Sequence, residues 1–141
     1  MPKMIFVSLP VTDVAKSTAF YEAIGFKKDP RFSNDQSSSM KWSDAITVML
    51  ADKSVYQTLT PKRIIDARTE SGALFALSFD SREAVDAVAA AAVAAGGREV
   101  HGAEDHGFMY SRGFEDPDGH GFGPMWMDVD AFAGAPAEPA A

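Results

Sequence analysis

The strongest constraint in this 141-residue chain is that one pattern is written twice. An alternating strand, a capped helix and a glycine stop occur first over Met4 to Gly25 and again over Leu74 to Gly97. Ile5, Val7 and Leu9 form one apolar row, with Met4, Phe6 and Ser8 on the other face. Thr12-Asp13 supplies an N-cap for a helix carrying Val14, Ser17, Tyr21 and Ile24 at helical spacing, with Phe20 beside them. In the second copy Phe75, Leu77 and Phe79 are the uniform row, and Leu74, Ala76 and Ser78 the mixed one. Asp80-Ser81 caps a helix whose stripe is Val85, Val88, Ala92 and Ala95. Gly25 and Gly96-Gly97 are the expected helix stops. Further strands follow each helix: Phe26, Met40 to Ser43 and Ala45 to Ala51 in the first half, and Arg98 to Val100, Phe108 to Glu115 and Phe122 to Met127 in the second.

A single βαβββ unit cannot bury both faces of its sheet, so two units are expected to associate. The expected fold class is α+β: two βαβββ modules pairing into a curved mixed sheet with a concave cup and helices on the convex side. The boundaries read as 1–53 for the first module, 54–71 for a connector, 72–128 for the second module and 129–141 for a disordered tail rich in Ala, Gly and Pro. The connector carries a basic cluster of Lys62, Arg63 and Arg68 and is a candidate gate for the cup.

The chain has no cysteine, which excludes disulfide frameworks, thiol catalysis and thiolate metal sites. Its 13 Lys+Arg against 20 Asp+Glu give a net charge of −7, and no basic stripe offers nucleic acid a footprint. That acidity would suit a cationic ligand. The apolar run at the N-terminus is too short for a membrane span and lacks a signal-peptide pattern, so a cytoplasmic protein is expected.

Three segments together resemble the vicinal oxygen chelate superfamily, which includes glyoxalase I, bleomycin-resistance proteins and extradiol dioxygenases. They are Leu9 to Asp13, the helix segment Ser17 to Phe26, and the Phe114-Glu115-Asp116-Pro117-Asp118-Gly119-His120 hairpin. The turn has a physical basis: Pro117 sets φ, Asp116 can bond the turn amides and Gly119 can take positive φ. The resemblance implies a metal site in metal-dependent members, and this chain departs from it. The positions implied for His or Gln, for a second His and for Glu hold Phe6, Leu74 and Gly123, and the strand Ala45 to Ala51 has no ionisable side chain. Phe, Leu and Gly offer a cation no side-chain donor, so no metal and no other cofactor is expected.

The expected function is therefore a glyoxalase/bleomycin-resistance-like protein, metal-independent, binding a small apolar or aromatic ligand in the cup. The rival reading is an enzyme of the lactoylglutathione lyase or extradiol dioxygenase type with donors from non-standard positions. Expected ligand contacts are Phe6, Ser8, Trp42, Met49, Leu74, Tyr110, Arg112, Gly123 and Met125; no catalytic residue stands out. Tyr110 and Arg112 could orient a ligand, or Arg112 could pair with an acid on a neighbouring strand. His101, Glu104, Asp105 and His106 form a loose donor cluster whose ordinary reading is a solvated loop. His120, after the turn, reads as a surface residue. Relatives are commonly dimers and open sheet edges invite pairing, so the expected partners are a small molecule and a second copy, with no nucleic acid and no membrane.

Overall fold

The computed structural model describes residues 3–133. The first module runs β1 (Ile5–Val11), α1 (Val14–Ala23), β2 (Lys27–Lys28), β3 (Ser37–Lys41) and β4 (Ile46–Asp52). A short helix, α2 (Lys53–Gln57), begins the connector. The second module runs β5 (Leu74–Ser78), α3 (Arg82–Ala94), β6 (Arg98–Asp105), β7 (Met109–Glu115) and β8 (Gly121–Met127), and α4 (Val129–Ala133) follows. The tail expectation is corrected for 129–133, which form α4; residues 134–141 lie outside the described residues. Strand β6 extends well beyond the expected Val100, because its pairing with β7 continues to Asp105↔Tyr110 through two register shifts.

Each module closes its own mixed sheet, in the orders β1-β4-β3-β2 and β5-β8-β7-β6. The first strand of each module lies parallel to the last, and the other pairs are antiparallel. The α+β paired-module architecture is thus as the repeat required. The ladder stops at β1 and β5, leaving two four-stranded sheets with those strands as edges. The helices start and stop as the repeat predicts. Asp13 accepts from the Lys16 amide and Ser81 from the Ala84 amide, while Gly25 and Gly96 leave the helices at φ 107° and 102°.

Pairing rests on α1. Phe20 meets Phe114 edge-on at 6.2 Å between centroids, and Tyr21 meets Phe122 at 5.7 Å. Trp42, beyond β3, packs against Phe79 of the second module at 5.6 Å. These rings join Leu9, Val11, Met40, Leu50 and Leu77 in one core spanning both modules. Backbone approaches closely here: a Cβ on Gly97 would lie 2.7 Å from the Phe20 ring and 2.4 Å from the Glu115 carbonyl oxygen, so only glycine fits.

A buried polar latch accompanies the rings. Tyr21 Oη donates to Asp116 Oδ2 at 2.7 Å, and Asp116 Oδ1 accepts the amides of Asp118 and His120. Asp118 Oδ1 accepts the Thr12 amide at 3.0 Å and the Thr12 hydroxyl at 2.7 Å. His120 Nε2 lies 2.8 Å from the Pro10 carbonyl oxygen. Burial drives the Tyr21 phenol well above its ordinary pKa, reinforced by Asp116, and burial raises the Asp116 carboxyl. His120 is therefore part of the buried module interface and not a surface residue, because the hairpin turn is folded onto the first module.

Tyr21→Phe removes one donor to a buried carboxylate while leaving the ring in place. The expected loss is about 1.5–3 kcal/mol of unfolding free energy with an unchanged denaturant slope, measured by urea titration.

Candidate ligand site

Strand parity decides which side chains meet the core. In the first sheet Val7, Leu9 and Val11, with Val48, Leu50 and Met40, point toward α1. The opposite face is laid out by register. Phe6 sits beside Thr47, which sits beside Lys41, which sits beside Lys27, one residue from each of the four strands. The next row is Ser8, Met49 and Ser39. A hollow of about 450 Å³ lies over this face, walled by Met4, Phe6, Phe32 and Met49. Ser39 and Thr47 line the same hollow. Phe6 is 60% exposed and Phe32 64%, high values for large apolar side chains.

Phe32 is held by the short turn Pro30–Phe32, capped by Asp29. Asp29 also binds Arg31 through both oxygens, at 3.0 Å to Nε and 2.9 Å to Nη2. The hydrogen bonds from Arg31 hold the Asp29 carboxyl below its ordinary pKa. The Arg31 guanidinium carbon lies 5.4 Å from the Phe32 ring centroid, stacking the two side chains.

In the second sheet Phe75 and Leu77, with Phe122, Pro124 and Phe114, face the core. Register places Leu74, Ala76 and Ser78 opposite Gly121, Gly123 and Met125 on the other face. Leu74 is 81% exposed. The His101 ring covers Gly113 on this face, where a glycine Cβ would lie 2.5 Å from it.

The expected contact residues therefore divide. Phe6 and Met49 line the hollow. Ser8 and Leu74 line a groove of about 790 Å³ between the edges of β1 and β5, walled by the connector with Lys62, Arg63 and Arg68. Gly123 and Met125 share the free face of the second sheet. Three residues lie elsewhere. Trp42 is turned into the core against Phe26 and Phe79. Tyr110 and Arg112 face α3, because Phe114 on the same parity is a core residue. Tyr110 Oη donates to Asp86 Oδ1 at 2.6 Å, and Arg112 bonds Asp86 at 3.0 Å and Glu99 at 3.3 Å. Arg112 is thus an ion-paired structural residue, its acids lying on a helix and a neighbouring strand. The residues that sequence reasoning missed are Phe32, Ser39, Lys41 and Thr47. Only the alternation of β3 and β4 could have indicated them, and Phe32 sits in a turn that has no period.

The positions where the resemblance implies metal donors do lie on the free faces, as Phe6, Leu74 and Gly123. Their side chains offer no nitrogen, oxygen or sulfur. Among the described residues no three His, Cys, Asp or Glu side chains form a group able to hold a metal ion. Glu104 reaches toward His106 at 3.8 Å and His101 at 4.0 Å, while Asp105 is taken by Arg82 at 3.1 Å. A divalent cation does not fit these residues.

The chain is thus a paired-βαβββ protein whose sheets each present an unfilled face. The family model described as Glyoxalase/Bleomycin resistance protein/Dioxygenase superfamily matches residues 3–123, and the chain belongs to that superfamily. Among solved structures it is similar to a hypothetical protein from S. aureus, at 25% identity and TM-score 0.75 over 89% of this chain and 95% of that one. A glyoxalase/bleomycin resistance protein/dioxygenase family enzyme from Burkholderia phytofirmans PsJN has TM-score 0.76 at 17% identity, over 89% of this chain and 99% of that one. A glyoxalase-related enzyme from Fulvimarina pelagi has TM-score 0.76 at 19% identity, over 92% and 91%. No curated protein matches the chain. Among the described residues no helix is long and apolar enough to cross a membrane.

The Asp86 carboxyl is held below its ordinary pKa, first by the Tyr110 hydroxyl and then by Arg112. A depressed carboxylate contributes stability above its unfolded pKa, and that contribution is lost as pH falls through the lower folded value. Asp86→Asn is therefore expected to flatten the loss of stability below about pH 4, read from melting temperature against pH.

Proposed function

We propose that this protein binds a small apolar or aromatic ligand without a metal, in the hollow over the free face of the first sheet. The observation that carries this reading is the wall of Met4, Phe6, Phe32 and Met49 around a floor of two hydroxyls. Such a mix of apolar walls and few polar groups is the usual make-up of a small-molecule site. The side chains at the superfamily's donor positions favour binding over metal-assisted chemistry.

We further propose a homodimer. Strands β1 and β5 each have one ladder neighbour, and Ile5, Phe6 and Leu74 along them are exposed. Light scattering is expected to give the mass of two chains; a single-chain mass would sink this part of the reading.

The neutral dye N-phenyl-1-naphthylamine is expected to fluoresce on binding, equally with and without EDTA. Phe6→Ala should weaken it about tenfold or more, since a phenyl face buried by a ligand is worth about 1.5–3 kcal/mol. Turnover of a hemithioacetal that EDTA abolishes would overturn the metal-free reading.

A further inference from the structure

The free face of the first sheet is not evenly apolar. Along the row Phe6, Thr47, Lys41, Lys27 it passes from a phenyl ring at one edge to two ammonium groups at the other. Lys27 and Lys41 are direct cross-strand partners. Like charges placed opposite each other destabilise a sheet. Lys41 pairs with the fully exposed Asp44 at 3.5 Å and lies in the field of Asp29, a carboxylate already bonded twice by Arg31, and among the described residues Lys27 forms no ion pair. Arg31, by contrast, is already satisfied by Asp29.

The cationic end opens onto space. A depression of about 600 Å³ has Lys27, Lys28 and Lys41 on its rim. It shares Asp29, Arg31 and Lys41 as walls with the 450 Å³ hollow, so the two adjoin. Between the apolar and cationic ends lie Ser39 and Thr47, 4% and 2% exposed. Their hydroxyls line the hollow and bond no described side chain. These two hydroxyls, open to the hollow, and the Lys41 and Lys27 ammonium groups form a donor set that an anion would satisfy.

We infer that the ligand of this hollow is an amphipathic organic anion. Its apolar or aromatic body lies against Phe6, Phe32 and Met49. Its single acidic head, a carboxylate, sulfonate or phosphate, sits between Lys41 and Lys27 within reach of the Thr47 hydroxyl. This inference rests on the hollow being the ligand site and adds the ligand's charge. It also reverses the expectation drawn from the net charge of −7, because a ligand responds to the local field over this face and not to the sum over the chain.

The test compares two dyes of similar aromatic body. One is 8-anilinonaphthalene-1-sulfonate and the other is the neutral N-phenyl-1-naphthylamine. The sulfonate is expected to bind about tenfold more tightly and to weaken with added salt, while the neutral dye does not. Lys27→Met and Lys41→Met keep the side-chain stems and should each cut the sulfonate's advantage over the neutral dye about fivefold. Phe6→Ala should weaken both. Circular dichroism confirms that each variant is folded. Amide shifts of Lys41, Thr47 and Met49 on titration place the dyes in the hollow; shifts confined to other segments overturn the assignment. Equal affinities for the two dyes, or a sulfonate affinity unmoved in the double lysine variant, overturn the anionic assignment and leave the hollow as an apolar site. Failure of both dyes to bind, or indifference of both to Phe6→Ala, overturns the hollow as the site and the inference with it.

Discussion

Tyr21 is where the two modules become one protein. Its ring packs against Phe20, Phe26 and Phe122, and its hydroxyl donates to the buried Asp116. A carboxylate held out of water is costly unless its oxygens are bonded, and Asp116 has three donors, one of them from the other module. The hairpin Asp116 to Gly119 is thereby folded onto the start of α1, where Asp118 takes the Thr12 amide and hydroxyl. Once that corner is set, Phe114 and Phe122 can stack at 5.7 Å beneath α1, and each sheet has one face sealed by the shared core.

Sealing one face leaves the other. Successive side chains of a strand alternate, so every residue that packs under a helix obliges its neighbours to face away. Leu9 and Val48 inward mean Ser8 and Thr47 outward. The same rule that builds the core builds the hollow. The unusual features of the chain collect on that outward face. They are the exposed phenyl rings of Phe6 and Phe32, the hydroxyls that Ser39 and Thr47 turn to the hollow, and the opposed Lys27 and Lys41. These are the residues proposed above to meet the ligand.

Much of the architecture was legible in advance. The repeat, Asp13 and Ser81 as caps, the glycine stops and the Asp-Pro-Asp-Gly turn are local signals, and local signals act through a few adjacent residues. The site was legible only in part. Phe6, expected from alternation, and Met49, expected as one of the strand methionines, lie in the hollow. Tyr110 and Arg112 were read as ligand contacts on the same kind of evidence, yet they lie under α3. Alternation groups the residues of a strand into two sets but does not say which set faces the core. For the strand of Tyr110, the decision belongs to Phe114 and to Asp86 on a helix distant in sequence. His120 was misread for a related reason: its burial comes from Pro10, at the other end of the chain.

The sequence by itself determined the two-module α+β plan, the order of strands and helices, and the lack of donor side chains at the positions where the resemblance implies metal donors. Those follow from periodicity, capping and residue chemistry, all of which are properties of short segments. Tertiary structure alone decided which face each strand turns outward. It also decided that Phe32 of a turn joins Phe6 of β1, and that Lys27 and Lys41 stand side by side at the end of an apolar hollow. These depend on cross-strand register and on contacts between the modules, and no short segment of the chain contains both partners.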